Sequence, residues 1–176
     1  MRAPVALSLL AVLLAVSIAR NALWTDDYAI WSKTIEAYPR RARAYNELGL
    51  HMLDAGRYED AYRLLRMSSE LDPYQQQIWN NLGQVYERLG QTENAIRTYE
   101  LAIGNAPQDP LPYYNLGVLY YDRFSDRKKA LAYLLRARDL QPLEPDVHYQ
   151  LSRIYADMGD GLQAAEEIKL YRYYRR

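Results

Sequence analysis

The chain carries two histidines, His51 and His148, while its carboxylates are scattered singly or stand as adjacent pairs such as Asp26-Asp27 and Glu166-Glu167. Neighbouring residues on a helix point about 100° apart, so these pairs do not converge on one proton or one ion. Their expected role is to solvate a surface. A lone imidazole falls short of a multi-histidine metal centre, and a chain with no cysteine has no thiolate to complete one. His51 lies two residues after Gly49 and is expected to pack or to face solvent. The sequence contains no glycine-rich phosphate loop, no HExxH, no GxSxG and no cysteine motif. The expectation is a protein with no catalytic site, no cofactor and no metal.

Composition narrows the partner class. Lysine plus arginine and aspartate plus glutamate both number 22, so no net field steers polyanions to the chain, and nucleic acid is not expected to bind. The aromatic content is unusual, with 18 tyrosines against one phenylalanine. At 176 residues there is room for one modest domain.

The elements that would position any binding residues are set by an internal period. Leu48-Gly49, Leu82-Gly83 and Leu116-Gly117 are each 34 residues apart, and the next step, of 35, reaches Leu151-Ser152. The third unit therefore holds one extra residue, which falls within Phe124-Ser125-Asp126-Arg127, where a turn absorbs it while the packed faces stay in register. In the second unit Trp79, Leu82, Gly83 and Tyr86 recur at helical spacing on a first helix, and Ala95, Tyr99 and Ala102 on a second. Gly83 and Ala102 let neighbouring helices approach, and Trp79 and Tyr86 fill the space around them. Gly90 is placed to take positive φ in the turn, and Pro107 stops the second helix. The first and third units repeat the scheme. The fourth departs from it: His148 takes the large aromatic position, Ser152 replaces glycine, and no closing proline follows. Upstream, Trp24 to Pro39 reads as a lone capping helix with Trp31 and Ile35 on one face.

These residues, above all WNNLGQVYERLGQTENAIRTYELAIGNAPQD from Trp79 to Asp109, resemble the tetratricopeptide repeat (TPR). The resemblance implies an all-α fold, a right-handed superhelix of antiparallel helix pairs (an α-solenoid), preceded here by one apolar N-terminal helix. The expected organisation is a signal or anchor over 1–20, a cap over 21–41, and repeats over 42–75, 76–109, 110–144 and 145–176. It also implies a partner-binding groove on the first helices of the pairs. Carried over position by position, that groove comprises Arg43, Asn46 and Leu50, then Gln77, Asn80, Asn81, Gln84 and Arg88, then Tyr114, Asn115, Val118 and Tyr121, and finally Tyr149 and Arg153. Amides can pair with the backbone of an extended peptide, and tyrosines add contact area at low entropic cost. TPR domains that clamp a C-terminal carboxylate use lysines and asparagines at set positions. Here Leu50 stands where such a clamp needs a polar group, so carboxylate clamping is not expected.

The segment from Ala3 to Ala19 is 17 residues without a charge. At 1.5 Å per residue it spans roughly 25 Å against the ~30 Å core of a bilayer. It reads either as an uncleaved anchor or as a signal peptide with Ser17 and Ala19 before a cut. Both readings place the repeats outside the cytoplasm, in a periplasm or lumen, with the membrane as a partner through residues 3–19. An apolar helix followed by Arg20-Asn21, Trp24, Trp31, Pro39 and Arg43-Ala44-Tyr45-Asn46-Glu47-Leu48-Gly49 resembles the junction of the last membrane helix and the repeats in transmembrane-TPR O-mannosyltransferases. In that family the catalytic loops belong to upstream membrane segments that are not among these residues, so the resemblance implies topology rather than activity. Three functions stand as expectations: a peptide-binding scaffold at a membrane, the repeat portion or accessory subunit of a membrane glycosyltransferase, and a structural assembly subunit. Self-association is a further expectation, because the last helix, from Leu162, leaves one side uncovered.

Overall fold

The computed structural model describes residues 27–175; the apolar segment 3–19, Arg20, Asn21 and Trp24, and with them the membrane-helix expectation, lie outside the described residues. Nine helices and no strand occur among the described residues. They are α1 (residues 27–37), α2 (Ala42–Asp54), α3 (Tyr58–Leu71), α4 (Gln76–Arg88), α5 (Thr92–Asn105), α6 (Pro110–Phe124), α7 (Arg127–Leu140), α8 (Pro145–Asp157) and α9 (Gly161–Tyr174). None of them is long and apolar enough to cross a membrane. The chain divides into two compact units, one ending at Asp72 and the other beginning at Pro73.

In the first unit α2 and α3 form an antiparallel pair. Ala44, Leu48 and Met52 recur every fourth residue on α2, so they fall on one stripe and are buried, as are Ala61 and Leu65 of α3. Gly49 is what lets the two helices meet, because a Cβ there would stand 2.7 Å from Leu65 Cγ. In the second unit the pairs α4–α5, α6–α7 and α8–α9 follow the same plan. Their first helices bury Ile78, Leu82 and Val85, then Leu116 and Leu119, then Val147, Leu151 and Ile154. The second helices bury Ala95, Tyr99 and Ala102 on α5 and Ala130, Leu134 and Ala137 on α7. Removing each such leucine from water stabilises the fold by about 1.5–3 kcal/mol. On α9 the corresponding residues, Ala164, Ile168 and Tyr171, are only half buried.

The first helix of each pair is locked to the preceding turn by one recurring bond. Its fourth residue donates a side-chain hydrogen to the carbonyl of the proline six residues earlier: Tyr45 to Pro39 at 3.0 Å, Trp79 to Pro73 at 2.9 Å and Tyr113 to Pro107 at 3.2 Å. In the fourth pair His148 Nε2 stands 2.8 Å from the Pro142 oxygen. Replacement of the large aromatic by histidine therefore keeps the bond while changing the chemistry around it.

The turns inside the pairs share a residue in the left-handed region, at Gly56, Gly90 and Gly159, with φ of 74°, 73° and 81°. In the third pair Ser125 takes that place at φ 52°. With the extra residue of this pair, and a following turn of two residues where the other pairs have three, α6 runs to 15 residues against 13 for α2, α4 and α8. The pair also has a non-glycine where the other turns have glycine. Asp126 then caps α7 by accepting from Lys129 N at 3.0 Å, as Asp160 caps α9 by accepting from Gln163 N at 3.1 Å.

Candidate interaction face on the first helices of the second unit

In the second unit the backbones of α4 and α6, and of α6 and α8, come within 8 Å of each other, whereas those of α5, α7 and α9 do not. The stack therefore bends toward the first helices, which line the inside of the curve. Residues on these helices that do not enter the pair cores project onto that inner face.

The α4 part carries Gln77 and Arg88, both exposed, and Gln84, half buried. Asn80 and Asn81 sit deeper, at 3% and 8% exposure. Asn80 is held by its neighbour helix: its carbonyl oxygen accepts from Asn115 Nδ2 of α6 at 2.8 Å. The same step is taken one helix further on, where the Tyr114 hydroxyl of α6 hydrogen-bonds with Gln150 of α8. Burial pushes the Tyr114 phenol above its usual range, against the opposing effect of that hydrogen bond. Gln150 in turn accepts from Arg153 Nη1 at 2.7 Å.

A denser network lies at the far end of the face. The Tyr121 hydroxyl donates to Asp157 Oδ2 at 2.7 Å, and the Arg153 guanidinium lies 4.7 Å from the centre of the Tyr121 ring. Arg153 also approaches Asp122 Oδ1, and Arg127 approaches Asp157 Oδ2, each at 3.6 Å. The Tyr121 phenol is raised, first by burial and then by its bond to Asp157. Tyr149 is 41% exposed and rests against Tyr171 of α9, with ring centres 5.2 Å apart. Arg127 and Arg153 are thus answered by Asp122 and Asp157, and this end of the face carries balanced charge.

Of the residues expected in the groove, the second unit brings Asn80 together with Asn115, Tyr114 with Arg153 through Gln150, and Tyr121 with Arg153. Arg43 and Asn46 belong to the first unit. Arg43 is exposed and stands 3.6 Å from Glu47, and Asn46 is buried at 1% exposure. Asn46 and Asn80 offer a ligand almost no surface, and the bond to Asn115 shows Asn80 serving the layer itself. The residues that tie the face together but were not singled out from the sequence are Gln150, Asp122 and Asp157. The one sequence signal for the two aspartates is their recurrence, with Asp54, in the last turn of the first helix.

The face holds no nucleophile beside a base, and among the described residues no group of three metal-ligating side chains converges. His51 is half buried and stands 3.6 Å from Asp27 Oδ2. What the face presents is phenol, amide and guanidinium groups in fixed positions. Such groups can donate to and accept from a peptide backbone, and the rings offer flat apolar area.

Comparison with known proteins agrees with this architecture. Family profiles described as tetratricopeptide repeat match residues 29–75 and 76–109. A Caenorhabditis elegans protein, tetratricopeptide repeat-containing protein trd-1, is 29% identical over 143 residues, covering 81% of this chain. The chain spans only 18% of that relative's length. Among solved structures, MamA superposes with a TM-score of 0.74 at 20% identity over 89% of this chain and 91% of that one. MamA 41-end from Desulfovibrio magneticus RS-1 gives 0.72 at 22% identity over 95% and 94%. A chain of the APC/C hetero-tetramer Cut9-Hcn1 gives 0.79 at 20% identity over 86% of this chain and 29% of that one. At these identities the structures establish the shared fold. Residues 29–109 match tetratricopeptide repeats, and the chain shares the fold of these repeat solenoids.

Proposed function

We propose that this chain is a scaffold that holds an extended, uncharged segment of a partner protein along the first helices of its second unit, and that residues 3–19 keep it at a membrane with the repeats on the extracytoplasmic side. The observation that carries the binding role is the row formed by Gln84, Tyr114, Tyr121, Tyr149 and Arg153. These side chains are half buried or exposed, and Tyr114, Tyr121, Tyr149 and Arg153 are each steadied by a neighbour on an adjoining helix or in the adjoining turn. Ordering them in advance lowers the entropic cost of gripping a peptide. The balance of arginine and aspartate argues against a polyanion, and the absence of a lysine on the face argues against a carboxylate clamp.

The test is photo-crosslinking from Gln84 and Tyr149 in native membranes, followed by mass spectrometry, with the triple variant Gln84→Ala, Tyr149→Ala, Arg153→Ala as comparison. Both positions should mark one segment of one partner, and the triple variant should recover that partner at least about tenfold less, equivalent to 1.4 kcal/mol. Undiminished recovery by a variant with an unchanged melting curve would remove this face from consideration.

A second reading, as the repeat portion or accessory subunit of a membrane glycosyltransferase, draws on the junction residues Trp31, Pro39 and Arg43 to Gly49. An adjoining reading frame for a multi-span membrane enzyme, and co-purification with it, would favour that reading over a free-standing scaffold.

A further inference from the structure

The inner face of the second unit is laid out in two rows, because equivalent positions of α4, α6 and α8 are 34 and then 35 residues apart. One row runs Asn80, Tyr114, Tyr149, and the other, one helical turn further on, runs Gln84, Val118, Arg153. Asn80 is almost buried, so the accessible groups of the first row are two phenol rings, Tyr114 half buried and Tyr149 exposed. Both rings are steadied: Tyr114 by the bond of its hydroxyl with Gln150, and Tyr149 by Tyr171, with ring centres 5.2 Å apart. In the second row a half-buried valine stands between two side chains that carry N–H donors. Arg153 gives one hydrogen to Gln150 and turns Nη2 toward Asp122. A guanidinium has more N–H groups than these two contacts use.

The step along these rows selects the shape of a ligand. The backbones of α6 and α8 come within 8 Å of each other, and helices packed this closely lie about 8–10 Å apart, axis to axis. A segment laid across them must return a side chain to the same side at about that interval. A polyproline II helix does so, with three residues per turn and a rise of about 3.1 Å each, or roughly 9 Å per turn. A β-strand returns a side chain to one face every ~6.7 Å and then at about twice that, missing the step both times. An α-helix comes near it with every seventh residue, but its carbonyls are taken up by its own hydrogen bonds, so Gln84 and Arg153 would find no acceptor on it. Polyproline II has no internal hydrogen bonds and offers its carbonyls outward. Proline holds a segment in that conformation, and its ring lies flat against a phenol.

We propose that the ligand of the inner face is an uncharged, proline-rich segment in the polyproline II conformation, with two prolines three residues apart seated on Tyr114 and Tyr149 and its carbonyls turned to Gln84 on one side and Arg153 on the other. The inference rests on the binding role proposed above and adds to it the conformation and residue type of the partner segment. Arg127 and Arg153 are answered by Asp157 and Asp122, so neither an acidic nor a basic segment gains from the face. Asn80, standing where a third ring would be, ends the row of rings at α6, so one pair of prolines is what the face recognises. Segment and rings are both ordered before they meet, which keeps the entropic cost of binding low.

Two measurements test it. Fluorescence anisotropy with the full chain in detergent compares a labelled peptide of repeated Pro-Pro-Ala triplets with one of the same length made of Gly-Ser-Ala. The proline peptide should bind at least about tenfold tighter; Tyr149→Ala should erase that margin, and Tyr149→Phe, which keeps the ring, should retain it. Gln84→Ala should weaken the proline peptide several-fold, and it keeps the comparison decisive should Tyr149→Ala alter the melting curve. Photo-crosslinking from Gln84 in native membranes then identifies the natural segment, which should carry two prolines three residues apart. Equal binding of the two peptides, a margin that survives both Tyr149→Ala and Gln84→Ala, or a crosslinked segment without that proline spacing overturns this inference and leaves the binding role standing. If nothing is crosslinked and the triple variant described above keeps its partner, the binding role falls and this inference with it.

Discussion

Tyr99 is fully buried, and its ring fills the space that Gly83 leaves on the facing helix. Its hydroxyl must then find a partner, and it donates to the Glu87 carboxylate at the end of the same pair. Burial, more than any neighbour, pushes the Glu87 carboxyl above its ordinary range, and the bond from Tyr99 only partly offsets this. The folded state therefore binds this proton more readily than the unfolded chain does. Ionised Glu87 costs stability above its folded titration point, and the cost disappears as the pH falls below the unfolded one. Glu87→Gln keeps an acceptor for Tyr99 without the charge. It should be more stable than the wild type at pH 7, by less than about 1 kcal/mol because the carboxylate keeps partial contact with water. The gain should shrink as urea unfolding is repeated toward pH 4, and an equal gain at both pH values would contradict the assignment. Sequence spacing alone placed Tyr99 and Gly83 on facing helices. It gave no hint of Glu87, because that bond depends on how far the phenol reaches past the glycine.

At the level of the element, the helices and their pairing were legible because the period repeats both the apolar stripe and the punctuation. Leucine, glycine and alanine return at positions where a larger residue would collide, and proline returns where the second helix must stop. The third pair shows what such a pattern hides. The added residue was expected to be absorbed by the turn, yet the turn is shorter and α6 longer than in the other pairs, with Ser125 at φ 52°. A side chain in that region costs about 1 kcal/mol that glycine avoids. Ser125→Gly should therefore raise the unfolding free energy by up to about 1 kcal/mol, less the entropy glycine adds to the unfolded chain. Thermal unfolding of the two proteins side by side reads the difference, and a loss of stability would show that the serine side chain contributes more than the backbone strain removes. The groove was less legible than the helices. Position in the repeat says which residues face inward, but exposure is set by the neighbouring helix. Thus Asn80 is nearly buried while Tyr149, at the same place two repeats later, is 41% exposed.

For the whole molecule, the proposed setting depends on residues 3–19. If they are a retained anchor, the mature chain begins upstream of Ala3 and partitions with membranes after carbonate washing. If they are a cleaved signal, N-terminal sequencing of the mature protein returns a start near Arg20, and the scaffold is exported rather than tethered. A cytoplasmic chain with an intact N-terminus that washes off membranes would refute the proposed setting. Placement of the repeats outside the cytoplasm is checked independently by protease digestion of intact and opened cells.

The period and its small, aromatic and proline positions determined by themselves that helices would pair and which faces would meet. Those choices are steric and local, and they recur often enough to be read without coordinates. Only the tertiary structure decided what His148 and Glu167 do. One stands at the aromatic position of α8 and the other on α9, 19 residues apart. Nothing in the spacing of an isolated histidine and one of two adjacent glutamates marks them as partners. Burial removes the water that would otherwise separate them, and the Pro142 carbonyl fixes one ring nitrogen as a donor. The buried bond between α8 and α9 follows from that arrangement.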